Sequence, residues 1–78
     1  MFVGVIHQIH DPQRFRVAGA AAIGKALRAG MVLPIEFMTP DDKTGISIWQ
    51  GPSVDAVRQL VESVVGGCSD TEYIELEV

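Results

Sequence analysis

Two hydrophobic periods alternate along this chain, and their order predicts its elements. The short apolar run Ile46-Ser47-Ile48-Trp49, within a strand from Gly45 to Gln50, ends at the turn Gly51-Pro52. From there the spacing changes to 3.6 residues: Val54, Val57, Leu60, Val61, Val64 and Val65 share one stripe, while Asp55, Arg58, Gln59 and Glu62 take the other side. Ser53 stands where an N-cap oxygen accepts an orphan N–H, Asp55 lies in the first turn, and Gly66-Gly67 predict a left-handed stop. One strand, a turn and one amphipathic helix form a unit that the rest of the chain must cover.

Phe2 to Ile9 is rich in Val and Ile and reads as a strand, nearly continuous in its apolarity and so expected to be central and buried on both faces. Asp11-Pro12 then supplies an N-cap and a first-turn proline for a helix running to about Ala29 and stopped by Gly30. Ala18, Ala20, Ala21, Ala22, Ala26 and Ala29 make that helix small nearly all round, with Phe15, Ile23 and Leu27 as its larger anchors. Gly19 and Gly24 each cost about 1 kcal/mol relative to alanine inside a helix, so close packing on a sheet is the expected compensation. Val32 to Met38 is a second strand, with Leu33, Ile35 and Phe37 on one face and Pro34, Glu36 and Met38 on the other. Pro34 cannot donate to a ladder, which puts this strand at an edge or the proline at a bulge or a beginning. Thr39 to Thr44 is a polar hairpin loop, and Glu72 to Val78 alternates, with Ile74, Leu76 and Val78 opposite Tyr73, Glu75 and Glu77.

The order is β-α-β-β-α-β over residues 1–78, one domain without repeat or linker. Right-handed crossovers then give an α+β, ferredoxin-like arrangement: a four-stranded antiparallel sheet with both helices on one side, strands one and three central, two and four at the edges.

Length and charge narrow the possibilities. A chain of 78 residues buries a limited core, and one cysteine allows no internal disulfide, so a second subunit is the nearest source of further burial. A net charge of -4, from 10 acidic and 6 basic residues, argues against a phosphate-backbone partner. The N-terminal apolar run lacks a basic flank and is far shorter than the ~20 residues that span a bilayer, so a cytoplasmic protein without a membrane partner is expected. Gly19-x-x-x-x-Gly24-Lys25 looks like part of a phosphate loop, but it lies inside a helical pattern and Ala26 replaces the magnesium-binding hydroxyl. Cys68 reads as a small residue in a turn.

The two helices cover one sheet face. Ile46, Ile48, Ile74, Leu76 and the Leu33, Ile35, Phe37 set are assigned beneath them, together with Gly4. That sends Glu36, Met38, Ser47, Trp49, Tyr73 and Glu75, with Val5 and His7, to the open face. A face with Trp49, Met38 and Val5 is too apolar for water, which predicts a homodimer through it. His7, near neutral in its unperturbed pKa, is the candidate catalytic acid or base, and Glu36, Met38, Ser47, Trp49, Tyr73 and Glu75 are candidate ligand contacts. His7 and His10, three apart on a strand, point to opposite faces and cannot chelate one metal together; one His joined by Glu36 or Glu75 is a loose signature, and neither metal nor cofactor is expected.

The element order over the whole chain, the sheet face of mixed Trp, His and acid character, and the segment Trp49 to Glu62 resemble the dimeric α/β-barrel superfamily. The final segment Glu72-Tyr73-Ile74-Glu75-Leu76 is similar to the last strand of small bacterial members without an assigned activity. The resemblance implies two ferredoxin-like sheets packed face to face around a cavity. It also implies a range of functions, among them cofactor-independent monooxygenases, isomerases and cyclases, haem enzymes, stress-responsive proteins and a small nickel-binding type. No shared catalytic residue carries over. Three classes follow: an enzyme on an apolar or aromatic small molecule with His7 as acid or base and Trp49 as a wall, a small-ligand or metal-binding module, and a structural dimer. A cavity of several hundred cubic ångströms favours the first two, and a filled interior favours the third.

Overall fold

Caps and turns set the helix ends as the spacing predicts, with one exception. The computed structural model describes residues 1–77, apart from the side chain of Pro34. It contains β1 (Phe2–Ile9), α1 (Pro12–Arg28), β2 (Val32–Met38), β3 (Thr44–Gln50), α2 (Val54–Val65) and β4 (Ser69–Leu76). Asp11 accepts from the Arg14 amide at 3.1 Å and Ser53 from the Ala56 amide at 3.0 Å, capping the two helices. Gly30, at φ +77, takes the left-handed conformation that ends α1. The exception is α2. Gly66 keeps right-handed φ -59, and the chain leaves through a turn in which the Gly66 amide donates to the Glu62 carbonyl and the Cys68 amide to that of Val65. The expected left-handed stop is therefore absent there.

The sheet order is β2-β3-β1-β4, all antiparallel, with both helices packed on one face. This is the ferredoxin-like α+β fold, with β1 and β3 central. A register shift between Val32 and Ile35 brackets Leu33 and Pro34, so the proline falls at the irregularity of an edge strand. β4 begins earlier than expected, at Ser69 rather than Glu72. Val78, assigned by alternation to the face of Ile74 and Leu76, lies outside the described residues, as does the expected face of the Pro34 side chain.

The two sheet faces are the reverse of the expected assignment. Register groups the residues as alternation does: Val3 opposes Trp49 and Glu75, Val5 opposes Ser47 and Tyr73, and Glu36 opposes Ser47. This group lies under the helices, with Val3, Val5, Ile9 and Trp49 in the core beside Phe15, Ala22, Ala26, Val57, Val61 and Val65. The other group is open: Ile35, Phe37, Ile46 and Ile74 are 42%, 67%, 47% and 42% exposed, with Phe2, Gly4, Ile6, Ile48 and Leu76 on the same side. Leu33 departs from Ile35 and Phe37 because the register shift turns it toward the core. The reason for the reversal is that both faces are apolar, and period-two spacing separates faces without saying which one the chain's own helices cover.

Helix α1 adds a second correction. Phe15 is buried, but Ile23 and Leu27 are 45% and 64% exposed, and Ala22 and Ala26 take the core positions instead. Ala22 borders the same small niche as Trp49 on the facing sheet.

Candidate functional site

The apolar core holds one chain of polar side chains, built from three adjacent strands. In the β1–β3 and β1–β4 ladders Gly45 and Thr71 sit opposite His7, while Ser47 is one same-face step along β3. Ser47 Oγ accepts from the Trp49 indole N–H at 3.0 Å and lies 3.3 Å from His7 Nε2. On the other side of the ring, His7 Nδ1 lies 3.4 Å from Thr71 Oγ1, which is 3.2 Å from Ser69 Oγ. Ser69 donates to the Val65 carbonyl at 3.3 Å. The edge of the Phe15 ring meets the imidazole with centroids 4.9 Å apart.

Donors at the two ends fix the direction of the whole chain. Indole N–H can only donate, and the Ser69 hydroxyl hydrogen is committed to Val65, so Ser69 Oγ accepts from Thr71. Thr71 Oγ1 then accepts from His7 Nδ1–H, and His7 Nε2 accepts from the Ser47 hydroxyl. With the ring neutral this is the Nδ1–H tautomer, and both nitrogens are satisfied. Burial acts the same way, lowering the His7 pKa from 6.5 to about 4. A general base for neutral pH needs a pKa closer to 7, so the cluster suits hydrogen bonding better than proton exchange.

Beside this chain lies a cavity of about 20 Å³, bordered by His7, Ser47, Trp49, Glu36, Leu33 and Gly19. A void of ~10–15 Å³ on this measure holds one water, so the niche as it stands is water-sized.

Of the expected site residues, the fold brings together His7, Ser47, Trp49 and Glu36 around the niche, and Met38 packs half-buried at the edge of the core. Tyr73 and Glu75 stand apart on β4. The Tyr73 hydroxyl has no hydrogen-bond partner among the described residues, while the Arg58 guanidinium lies 5.2 Å from its ring centroid. Burial raises the Tyr73 pKa, and the nearby negative charge of Glu62 raises it further. Glu75 is exposed, opposite Val3. None of these residues faces open sheet, contrary to the expectation above. His10 is beyond the end of β1 and pairs with Asp70 at 2.9 Å in water. Ser69 and Thr71 also belong to the cluster, ahead of the expected strand start at Glu72; their period-two spacing with Tyr73 is the sequence signal for them.

Comparisons with known proteins bear on the fold. No family model matches the chain, and neither does any curated protein. Among solved structures, the crystal structure of SCO4226 from Streptomyces coelicolor A3(2) is similar, with a TM-score of 0.75 and 18% identity. The match covers 100% of this chain and 98% of that one. The likeness supports the ferredoxin-like fold over the full length of the domain. No helix among the described residues is long and apolar enough to cross a membrane.

Proposed function

We propose that this protein works as a homodimer of the dimeric α/β-barrel type, formed by packing the open sheet faces of two copies. The observation that carries this reading is the open face itself. Ile35, Phe37, Ile46 and Ile74 are each more than two-fifths exposed, contiguous across all four strands with Phe2, Ile6, Ile48 and Leu76. A continuous apolar sheet face of this kind marks an interaction surface rather than a solvated one. A second copy is its natural cover, because the face then meets one equally apolar and equally flat, and because the fold and the chain resemble a superfamily that pairs in this way. The experiment is sedimentation equilibrium at micromolar concentration. The wild type is expected to be dimeric and the double variant Phe37→Glu, Ile46→Glu a folded monomer; a monomeric wild type overturns the reading.

A second reading, binding of a small neutral molecule with an apolar body, rests on the polar cluster beside the niche. Glu36, at the niche's border, would offer a hydrogen-bond acceptor and Trp49 a wall, with α1 moving outward to enlarge a space that is now water-sized. Acid–base catalysis of the monooxygenase, isomerase or cyclase kind has less support, since the ring does not titrate near neutrality. Metal binding has less again, because His7 and Glu36 are the niche's two ligand-type side chains and the hydroxyls of Ser47 and Thr71 occupy the ring nitrogens. Phenol, titrated into labelled protein and followed by NMR, should shift Gly19 and Ser47 if the niche accepts such a molecule. Unmoved signals would leave the interior a purely structural core.

A further inference from the structure

Helix α1 carries charge of one sign. Four of the chain's 6 basic residues, Arg14, Arg16, Lys25 and Arg28, lie in it and none of its 10 acidic ones does. The helix is therefore +4, and the remainder, with 2 basic and 10 acidic residues, is 2 - 10 = -8, which together give the net -4. Arg16 is paired with Asp42, and Arg58, on α2, with Asp55. Arg14, Lys25 and Arg28 form no ion pair among the described residues.

Two of these cations, Arg14 and Lys25, line one groove. Between α1 and α2 runs an open depression of about 620 Å³ whose floor is Val17, Ala18, Ala21 and Val64, with Arg14 toward one end and Lys25 toward the other. Lys25 Nζ reaches across it to Ser63 Oγ at 3.4 Å, and an Arg28 guanidinium nitrogen lies 3.8 Å from where a Cβ on Gly24 would stand, over the outer surface of α1. Among the described residues, no carboxylate side chain lines the groove. The acids of α2 face away, Asp55 toward Arg58 and Glu62 toward Tyr73. Val17, in its floor, is 73% exposed.

We propose that this groove docks an acidic amphipathic helix of a partner protein. Arg14 and Lys25 are about three helical turns apart, about 16 Å, which matches the span of a short helix laid along the groove. The alanines of the floor let such a helix come close, its apolar stripe covering Val17 and Val64, while carboxylates along its edges meet Arg14 and Lys25. The open, shallow shape leaves most of a small ligand in water, which favours a helix over a free anion. The groove lies on the helix layer, opposite the sheet face assigned to dimer formation, so both contacts can be made at once.

The probe is a capped sixteen-residue peptide with leucines at i, i+4, i+7 and i+11 flanked by glutamates, titrated into labelled full-length protein and followed by NMR. Its control carries lysines in place of the glutamates, and vesicles of phosphatidylglycerol form a third arm. The expected result is saturable shifts at Arg14, Val17, Ala21, Lys25 and Val64 with the acidic peptide alone. Arg14→Glu with Lys25→Glu, both exposed positions, should weaken binding by roughly tenfold or more, since the substitution sets like charges together. Four outcomes each overturn the proposal: no shift with millimolar acidic peptide, equal binding of the lysine control, shifts confined to the open sheet face, or stronger association with the anionic vesicles than with the peptide.

Discussion

Ser47 Oγ stands between Trp49 and His7, accepting the indole N–H at 3.0 Å and donating toward His7 Nε2 at 3.3 Å. One hydroxyl thereby satisfies a buried indole and sets the tautomer of a buried imidazole. The cluster is closed: each hydrogen from the indole to the Val65 carbonyl has an acceptor, and a second proton on the imidazole would have none without reversing Ser47.

The first prediction concerns pH. The folded-state pKa of His7, about 4, lies below the unfolded value of 6.5, so between them the unfolded chain binds the proton and the native one does not. Above 6.5 the group contributes no pH dependence; as pH falls from 6.5 to 4 stability is lost, by at most roughly 3 kcal/mol at 1.36 per pKa unit. Urea midpoints measured across that interval should fall in the wild type and fall less in His7→Gln. Equal slopes in the two proteins would show that the ring titrates freely.

Ser47→Ala isolates the hydroxyl. It leaves the Trp49 N–H and His7 Nε2 without partners in a buried site, each omission costing about 1–3 kcal/mol. Chemical denaturation should place the loss at 2 kcal/mol or more in order of magnitude, whereas Thr71→Val, which keeps its shape, should cost less. The imidazole 15N shifts give an independent reading, because the Nδ1–H tautomer loses its enforcement at Nε2.

Glycine positions separate packing from propensity. A Cβ on Gly51 would lie 2.9 Å from Met31 Sδ and 3.0 Å from Val57 Cγ2, both in buried residues, while one on Gly19 would meet nothing within 4 Å. Gly51→Ala is expected to destabilise by about 1–3 kcal/mol through overpacking. Gly19→Ala, in a helix interior, should stabilise by about 0.5–1 kcal/mol. Thermal melts of the two variants should move in opposite directions; a shared direction would place the packing constraint elsewhere.

Much of this was legible in the residues. Asp11, Pro12, Ser53 and Gly30 punctuate the helices through local chemistry that needs no tertiary information, and Pro34 marked an edge strand with an irregularity. Alternation also kept His7, Glu36, Ser47, Trp49 and Tyr73 on one face, as the ladder registers show. What alternation could not supply was the identity of that face. Ser47, Trp49, His7, Thr71 and Ser69 look fit for water one at a time, and they are fit for a core because each satisfies the next, a property of three strands side by side. Ile23 and Leu27 misled for a related reason: size suggested anchors, but the stripe of α1 that meets the sheet runs through Phe15, Ala22 and Ala26.

The last prediction separates the two faces by folding rather than by assembly. Trp49 is 3% exposed and hydrogen-bonded within the core, whereas Phe37 is 67% exposed on the open side. A carboxylate at position 49 would be placed beside Val3 and Val61, with the Ser47 hydroxyl and neutral His7 nearby but the Glu36 carboxylate at the same niche, and burying a charge so poorly partnered costs more than a marginal small domain holds in reserve. Trp49→Glu should therefore yield a chain without native far-ultraviolet dichroism at any concentration. Phe37→Glu puts its charge in water within the protomer, where surface substitutions change stability by about 0.5 kcal/mol or less, so its secondary structure should persist. Any loss of melting temperature in Phe37→Glu should follow dilution of the wild type, because it reflects the contact between copies and not the fold of one. Circular dichroism of both variants over a hundredfold range of concentration makes the comparison, and a folded Trp49→Glu beside an unfolded Phe37→Glu would return the helices to the other face of the sheet.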